Sequence, residues 1–198
     1  MVGIRDKLAL GGGYPRSGPR GSCSAQIQAA HYRAALGGHR TRCGSRGAPI
    51  LPVIERFRPL GSTSEVLFRT VRPTVGKPKS HISHVVLDAP TWEHSVASQL
   101  ERTPEVIAYV RNDHLDFSIP YEWQGARHEY RPDYLIRWRG EDGQEVKVIL
   151  EIKGFETEQD RQKGTAAKRW VRAVNIHGEF GRWVFALCSS LFVKTLRG

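Results

Sequence analysis

Between Tyr130 and Lys153, two apolar runs carry charge at positions that constrain how this chain folds. Tyr134-Leu135-Ile136 follows Arg131-Pro132-Asp133, and Val148-Ile149-Leu150 runs into Glu151-Ile152-Lys153. Gly140 to Gly143 lies between them and predicts the turn of an antiparallel hairpin joining a strand over His128 to Trp138 to one over Glu145 to Lys153. Side chains alternate along a strand, so residues 151 and 153 share one face while Ile152 is buried on the other. An acid at the start of one strand thus meets an acid and a lysine at the end of the next.

The flanking sequence supplies a frame for that hairpin. Trp92, Val96 and Leu100 recur at helical spacing. Thr91 is the expected N-cap, Glu93 lies in the first turn, and Pro104 closes the helix. Ser80 to Leu87 is apolar enough for a short strand, and Val106 to Val110 and Phe117 to Trp123 read as strands separated by the turn cluster Asn112-Asp113-His114. Beyond the hairpin, a helix is expected from Glu158 to about Val174, with Ala166, Trp170 and Val174 on its apolar face. A last strand follows over Phe180 to Leu187. Helix, strands, hairpin, helix and strand make an α/β core on a central mixed β-sheet flanked by helices. One helix between the fourth and last strands implies a right-handed crossover if those strands are parallel.

Charge divides the chain differently. Residues 1–70 hold 11 Lys/Arg against 3 Asp/Glu, whereas residues 71–198 hold 19 against 17. The leader, residues 1–65, is Gly/Arg-rich and predicts disorder or weak order. Residues 66–198 form the expected folded domain. A basic arm suits a polyanion. No Gly-x-x-x-x-Gly-Lys-Ser/Thr run occurs, so a phosphate-cradling ATPase loop has no support. Cys23, Cys43 and Cys188 lack disulfide-framework or zinc spacing, which points to a reducing, cytoplasmic setting. No stretch is long and apolar enough for a membrane span, and no signal peptide is expected.

Phosphodiesters resist hydrolysis because water must attack a charged centre and expel a poor leaving group. A divalent cation lowers the pKa of bound water and neutralises the developing charge. Mg²⁺ prefers hard oxygens, typically one or two carboxylates with water and phosphate oxygens. Asp133 and Glu151 are suited to share such an ion, with the Ile152 carbonyl as a further ligand. Lys153 is aimed at the same place, to hold the attacking water and stabilise the phosphate. Taken singly, these residues also fit a turn acid and a solvated charge pattern; as an ordered set they read as a metal-dependent nuclease site.

Pro132-Asp133 followed by Glu151-Ile152-Lys153 resembles the PD-(D/E)xK nuclease signature. The surrounding sequence is more specific. Ser80 to Asp88, Trp92-Glu93, Pro104 to Asn112, Ile119-Pro120-Tyr121, Tyr130 to Tyr134, and Trp170 to Asn175 with Phe180 to Trp183 resemble the C-terminal endonuclease region of the Res subunit of type III restriction enzymes. The similarity runs from Val66 to Cys188. It implies a restriction-endonuclease-like fold, Mg²⁺-dependent cleavage of double-stranded DNA, and a separate modification (methyltransferase) subunit as partner. It also implies Asp133 and Glu151 as metal carboxylates and Lys153 as the catalytic lysine. Glu93 stands where many such nucleases carry an additional acid, and serves equally well as a first-turn carboxylate. The helicase-type ATPase motifs of a Res subunit are absent from residues 1–65.

Lys163, Lys168, Arg169 and Arg172, on the helix after the second charged strand, are the expected contacts to DNA phosphates, or otherwise that helix's solvated face. The six histidines from His81 to His177 lack metal-pair spacing, and the five tryptophans suit packing. The rival reading is a catalytically silent DNA-binding or assembly remnant of a restriction system.

Overall fold

The computed structural model describes residues 2–5, 32–33, 53–54, 62–89, 95–153 and 156–189. Glu93, the expected cap Thr91, Cys23, Cys43 and most of the leader lie outside them. Of the leader, three short strands are described: β1 (Val2–Arg5), β2 (Tyr32–Arg33) and β3 (Val53–Ile54). β1 pairs with β4 (Leu67–Thr70), and β2 pairs with β3. β5 (Thr74–Val75) and β6 (Val85–Val86) pair next to each other.

The central sheet is built from β7 (Val106–Arg111), β10 (Tyr134–Arg139), β11 (Glu145–Lys153) and β12 (Arg182–Ser189), in the order β12-β11-β10-β7. β10 runs antiparallel to both β7 and β11, and β12 lies parallel to β11. Helix α1 (Val96–Arg102) precedes β7, and α2 (Glu158–His177) connects β11 to β12. The sheet is therefore mixed, as the sequence predicts, and α2 makes the crossover between parallel strands.

Several boundaries differ from expectation: the last strand is shifted two residues on, to Arg182–Ser189, and Ser80 to Leu87 is strand only over Val85–Val86. The expected strand over His128 to Trp138 is two strands in different sheets: β9 (Ala126–Tyr130) pairs with β8 (Ile119–Trp123), and β10 starts at Tyr134. Pro132 lies at the break, where its missing N–H and fixed φ interrupt a ladder. Helix α1 begins after Ser95, whose side chain accepts the Ser98 N–H at 3.1 Å, so the N-cap is Ser95 and not Thr91. Thr103 before Pro104 ends it, as expected. Finally, α2 continues three residues past Val174 and stops at Gly178, whose φ of 81° is the left-handed cap that glycine favours.

Packing separates the two faces of the sheet. On one, Leu135 and Ile149 meet Ala167, Trp170 and Val174 of α2, with Trp183 closing the layer. Trp170 and Trp183 pack edge to face at 5.1 Å between ring centroids. The buried stripe of α2 is Ala167, Trp170, Ala173 and Val174, one residue on from the expected Ala166, which is only partly covered. On the other face, Tyr134, Ile136, Val148 and Leu150 receive Val96, Ala97 and Leu100 of α1. Fully burying one such aliphatic side chain contributes about 1.5–3 kcal/mol, so both faces of the hairpin are firmly held. Among the described residues no helix is long and apolar enough to cross a membrane.

Candidate active site at the end of the central hairpin

The β10–β11 ladder ends with Tyr134 opposite Leu150. One step further along, Asp133 projects its carboxylate back onto β11, where Oδ2 accepts the Ile152 N–H at 2.7 Å. The backbone around Asp133 is clamped by Asn112, whose N–H donates to the Asp133 carbonyl and whose Nδ2 donates to the carbonyls of Pro132 and Phe117, each at 2.9 Å. The position of Asp133 is thus set from two neighbouring strands.

Glu151 is 6% exposed. Its Oε2 accepts from the Tyr130 hydroxyl at 2.7 Å, and Lys153 Nζ lies 2.8 Å from Oε1. Lys153 also reaches Asp160 Oδ1 at 3.2 Å, and Lys163 Nζ approaches that same oxygen at 3.2 Å. Asp160 is held in turn by the capping box at the start of α2, where Thr157 donates to its Oδ2 through both hydroxyl and backbone N–H.

These residues meet at one end of the sheet but open to two sides. Asp133 lines a cavity of about 310 Å³ with Asp88, Arg111, Tyr134 and Ile152. Glu151 and Lys153 line another, of about 340 Å³, with Tyr130, Asp160, Lys163 and Lys168. Of the expected DNA contacts, Lys163 and Lys168 reach the second cavity. Exposed Arg172 lies one turn beyond Lys168 on the same stripe of α2. Arg169 follows Lys168 by 100° around the helix and lines neither cavity, and its Nε is buried without a hydrogen-bond partner.

Burial dominates the electrostatics of both acids. It raises the Asp133 carboxyl above its ordinary value, against the opposing pull of the Ile152 N–H and the positive charges of Lys153 and Arg111. It likewise raises Glu151, where the hydrogen bonds from Lys153 and Tyr130 oppose it and the charge of Asp133 adds to it. At Lys153 burial works against the charged form, but Glu151 and Asp160 outweigh it and the ammonium is held up. Asp160 goes the other way: the Thr157 hydrogen bond leads, with help from Lys163 and Lys153, and keeps it ionised well below the usual range. Burial beside Glu151 pushes the Tyr130 phenol far up, so that it remains a neutral donor.

A cation shared by these two buried acids would sit at the end of β11, between the cavity that Asp133 lines and the one that Glu151 lines, and would offset the cost of burying them. Among the described residues no three His, Cys, Asp or Glu side chains cluster so as to hold a metal. A bound ion would therefore rely on two carboxylates, Asp133 and Glu151, and on the Ile152 carbonyl. In an extended strand a residue's N–H and C=O point to the same side, so that carbonyl faces the side from which Asp133 approaches. This all-oxygen set fits Mg²⁺, which keeps several waters, better than it fits zinc.

Sequence reasoning missed Tyr130, Asp160, Asn112 and Asp88 as members of the site. The capping-box spacing Thr157–Asp160 is the one local signal that could have marked Asp160. No family model, curated protein or solved structure matches the chain.

Proposed function

We propose that residues 66–198 are a Mg²⁺-dependent endonuclease domain of the PD-(D/E)xK type, hydrolysing phosphodiesters of double-stranded DNA. The observation that carries this reading is the meeting of Asp133, Glu151 and Lys153 where β10 begins and β11 ends. Asp133 bonds Ile152 at 2.7 Å, and Lys153 pairs with Glu151 at 2.8 Å. The core elements α1, β7, β10, β11, α2 and β12, with the β8–β9 hairpin inserted after β7, give three antiparallel strands and a parallel fourth, which supports a restriction-endonuclease-like core. The resemblance to the type III Res subunit adds a modification methyltransferase as the proposed partner.

Each side chain has a defined task in this reading. Asp133 and Glu151 would hold the cation, which when bound supplies an acidified water and charge neutralisation at the phosphate. Lys153 offers an ammonium beside Glu151 to orient the attacking water and stabilise negative charge on the phosphate. Tyr130 fixes Glu151 by a bond to one oxygen, and Asn112 fixes the backbone that carries Asp133. Lys163 and Lys168 line the Glu151 cavity, where they would meet flanking phosphates.

One observation favours the rival, a catalytically silent DNA-binding or assembly module: both oxygens of Glu151 already have protein partners. Plasmid cleavage in Mg²⁺ against EDTA separates the two, with Asp133→Ala and Lys153→Ala as controls. Cutting that needs Mg²⁺ and disappears in both variants is the expected result. Equal cutting by all three proteins would refute the assignment, and salt-dependent DNA binding without cleavage at any metal concentration would establish the rival.

A further inference from the structure

We propose that Asp160 is the second anchor of Lys153: it holds the lysine ammonium when Glu151 turns to a cation, and so lowers the barrier that Lys153 poses to metal entry. This rests on the reading of Asp133 and Glu151 as a metal site. In the structure Lys153 Nζ bridges two acids, at 2.8 Å from Glu151 and 3.2 Å from Asp160. A cation taking Oε1 of Glu151 meets the Lys153 ammonium 2.8 Å away, while Oε2 stays with Tyr130. Without a second acid, the half-buried ammonium would lose its only carboxylate and face the incoming positive charge. With Asp160 present it gives up one partner and keeps the other.

The surroundings of Asp160 suit that task. Its Oδ2 is committed to Thr157 at the start of α2, leaving Oδ1 aimed at Lys153 and Lys163. The carboxylate is thereby fixed in direction by the helix itself. Lys163 shares the same oxygen, so Glu151, Lys153, Asp160 and Lys163 form a chain of alternating charge. Transfer of Glu151 to a cation leaves Lys153, Asp160 and Lys163 with one net positive charge beside the cavity, the sign a phosphate requires. Asp160 touches neither Asp133 nor Glu151 by hydrogen bond; it acts through Lys153 and is a positioning residue.

The test is a double-mutant cycle read in metal affinity, independent of cleavage. Mn²⁺, which also prefers carboxylate oxygen, is titrated by electron paramagnetic resonance into four full-length proteins: wild type, Asp160→Asn, Lys153→Met and the double variant. Ionic strength of about 0.15 M shortens the Debye length to about 8 Å and damps the direct field of Asp160 on the ion. Asparagine keeps an oxygen for Thr157, and Asp160→Ser is run alongside as a second neutral variant, with melting curves confirming that each protein is folded. Asp160→Asn should weaken Mn²⁺ on the order of fivefold to tenfold in the Lys153 background, and less than about twofold with Met at 153. The same loss in both backgrounds, or no loss in either, would overturn the anchor while leaving the metal site in place. Absence of Mn²⁺ binding by the wild type would overturn the metal site and the anchor with it.

Discussion

Replacing Glu151 by glutamine should stabilise the metal-free protein at neutral pH, although it removes an ion pair. The carboxylate is 6% exposed, and burial, with the charge of Asp133 added to it, raises its pKa against the opposing hydrogen bonds from Lys153 and Tyr130. A folded-state value above the unfolded one means that the native protein holds this proton to higher pH. Stability from the group is then complete below the unfolded value of about 4.3 and is lost as pH rises through the folded value. At neutral pH the ionised carboxylate is therefore a net burden on the fold. Glutamine has the same shape, and its amide oxygen can still accept from Tyr130, while Lys153 retains Asp160 at 3.2 Å. The expected gain is on the order of 1 kcal/mol, the usual size of a single stabilising substitution. A gain of that order raises Tm by about 2–4 °C for a chain of this size. Thermal melts in EDTA at pH 7.5 and at steps down toward pH 4.5 would show the gain shrinking as wild-type Glu151 takes up its proton. Adding Mg²⁺ should reverse the order: a ligand at tenfold its Kd stabilises by about 1.4 kcal/mol, and only the wild type has the site. A glutamine variant that melts at or below wild type in EDTA at pH 7.5 would refute the reasoning.

Asn112→Ala removes donors from the carbonyls of Pro132 and Phe117, and urea unfolding should show a loss of about 2 kcal/mol, roughly half from each orphaned bond; a loss below about 0.5 kcal/mol would mean that water replaces both. Lys168→Ala should reduce the slope of log K against log salt for DNA binding by about 1, whereas Arg169→Ala should leave the slope unchanged, since Arg169 does not line the cavity; equal effects would make Arg169 a phosphate contact on a par with Lys168. Trp170→Ala should destabilise by about 3–5 kcal/mol, because the ring is 1% exposed and packs edge to face against both Phe117 and Trp183.

The sequence makes β11 legible to the residue, since its apolar alternation starts after Gly143-Gln144 and runs unbroken to Lys153. The start of α2 is legible for a similar local reason: polar residues give way to a helical pattern at Glu158. What fails is whatever depends on partners far along the chain. His128 to Trp138 has strand character throughout, so nothing local says that Tyr130 pairs with Ile119 while Tyr134 pairs with Arg111 and Leu150. Thr91 and Ser95 are both good cap residues, and only packing of Val96, Ala97 and Leu100 against the sheet selects the second. Tyr130 joins Glu151 across 21 residues of sequence and Lys153 meets Asp160 across a loop; such contacts leave no periodic trace. The acid pair and the lysine stand out because charge inside an apolar run is itself a local signal.

The location of the site follows from how the central ladder stops. In an antiparallel pair, alternate residues of β11 present N–H and C=O to β10, and after Leu150 the next to do so is Ile152. Pro132 stands opposite Ile152 in the continued register, and a proline there interrupts the regular exchange. The Ile152 N–H is instead taken by the Asp133 side chain at 2.7 Å. An N–H left without an acceptor away from water costs about 1–3 kcal/mol, so the carboxylate earns its place structurally before any metal is considered. The same bond uses only one carboxylate oxygen, Oδ2, and leaves Oδ1 available. Pro-Asp therefore ends a strand, satisfies the neighbouring backbone and presents a free acidic oxygen in one step. Asp133→Asn should preserve the first two roles, because the amide oxygen still accepts from Ile152, and should abolish only the third. A variant that loses Mg²⁺-dependent cleavage while melting no more than about 2 °C below wild type in EDTA is the expected outcome. If Asp133→Asn instead unfolds the end of β11, with Ile152 and Lys153 amides losing their hydrogen-exchange protection, the carboxylate charge is needed for the strand itself and this division of roles is wrong.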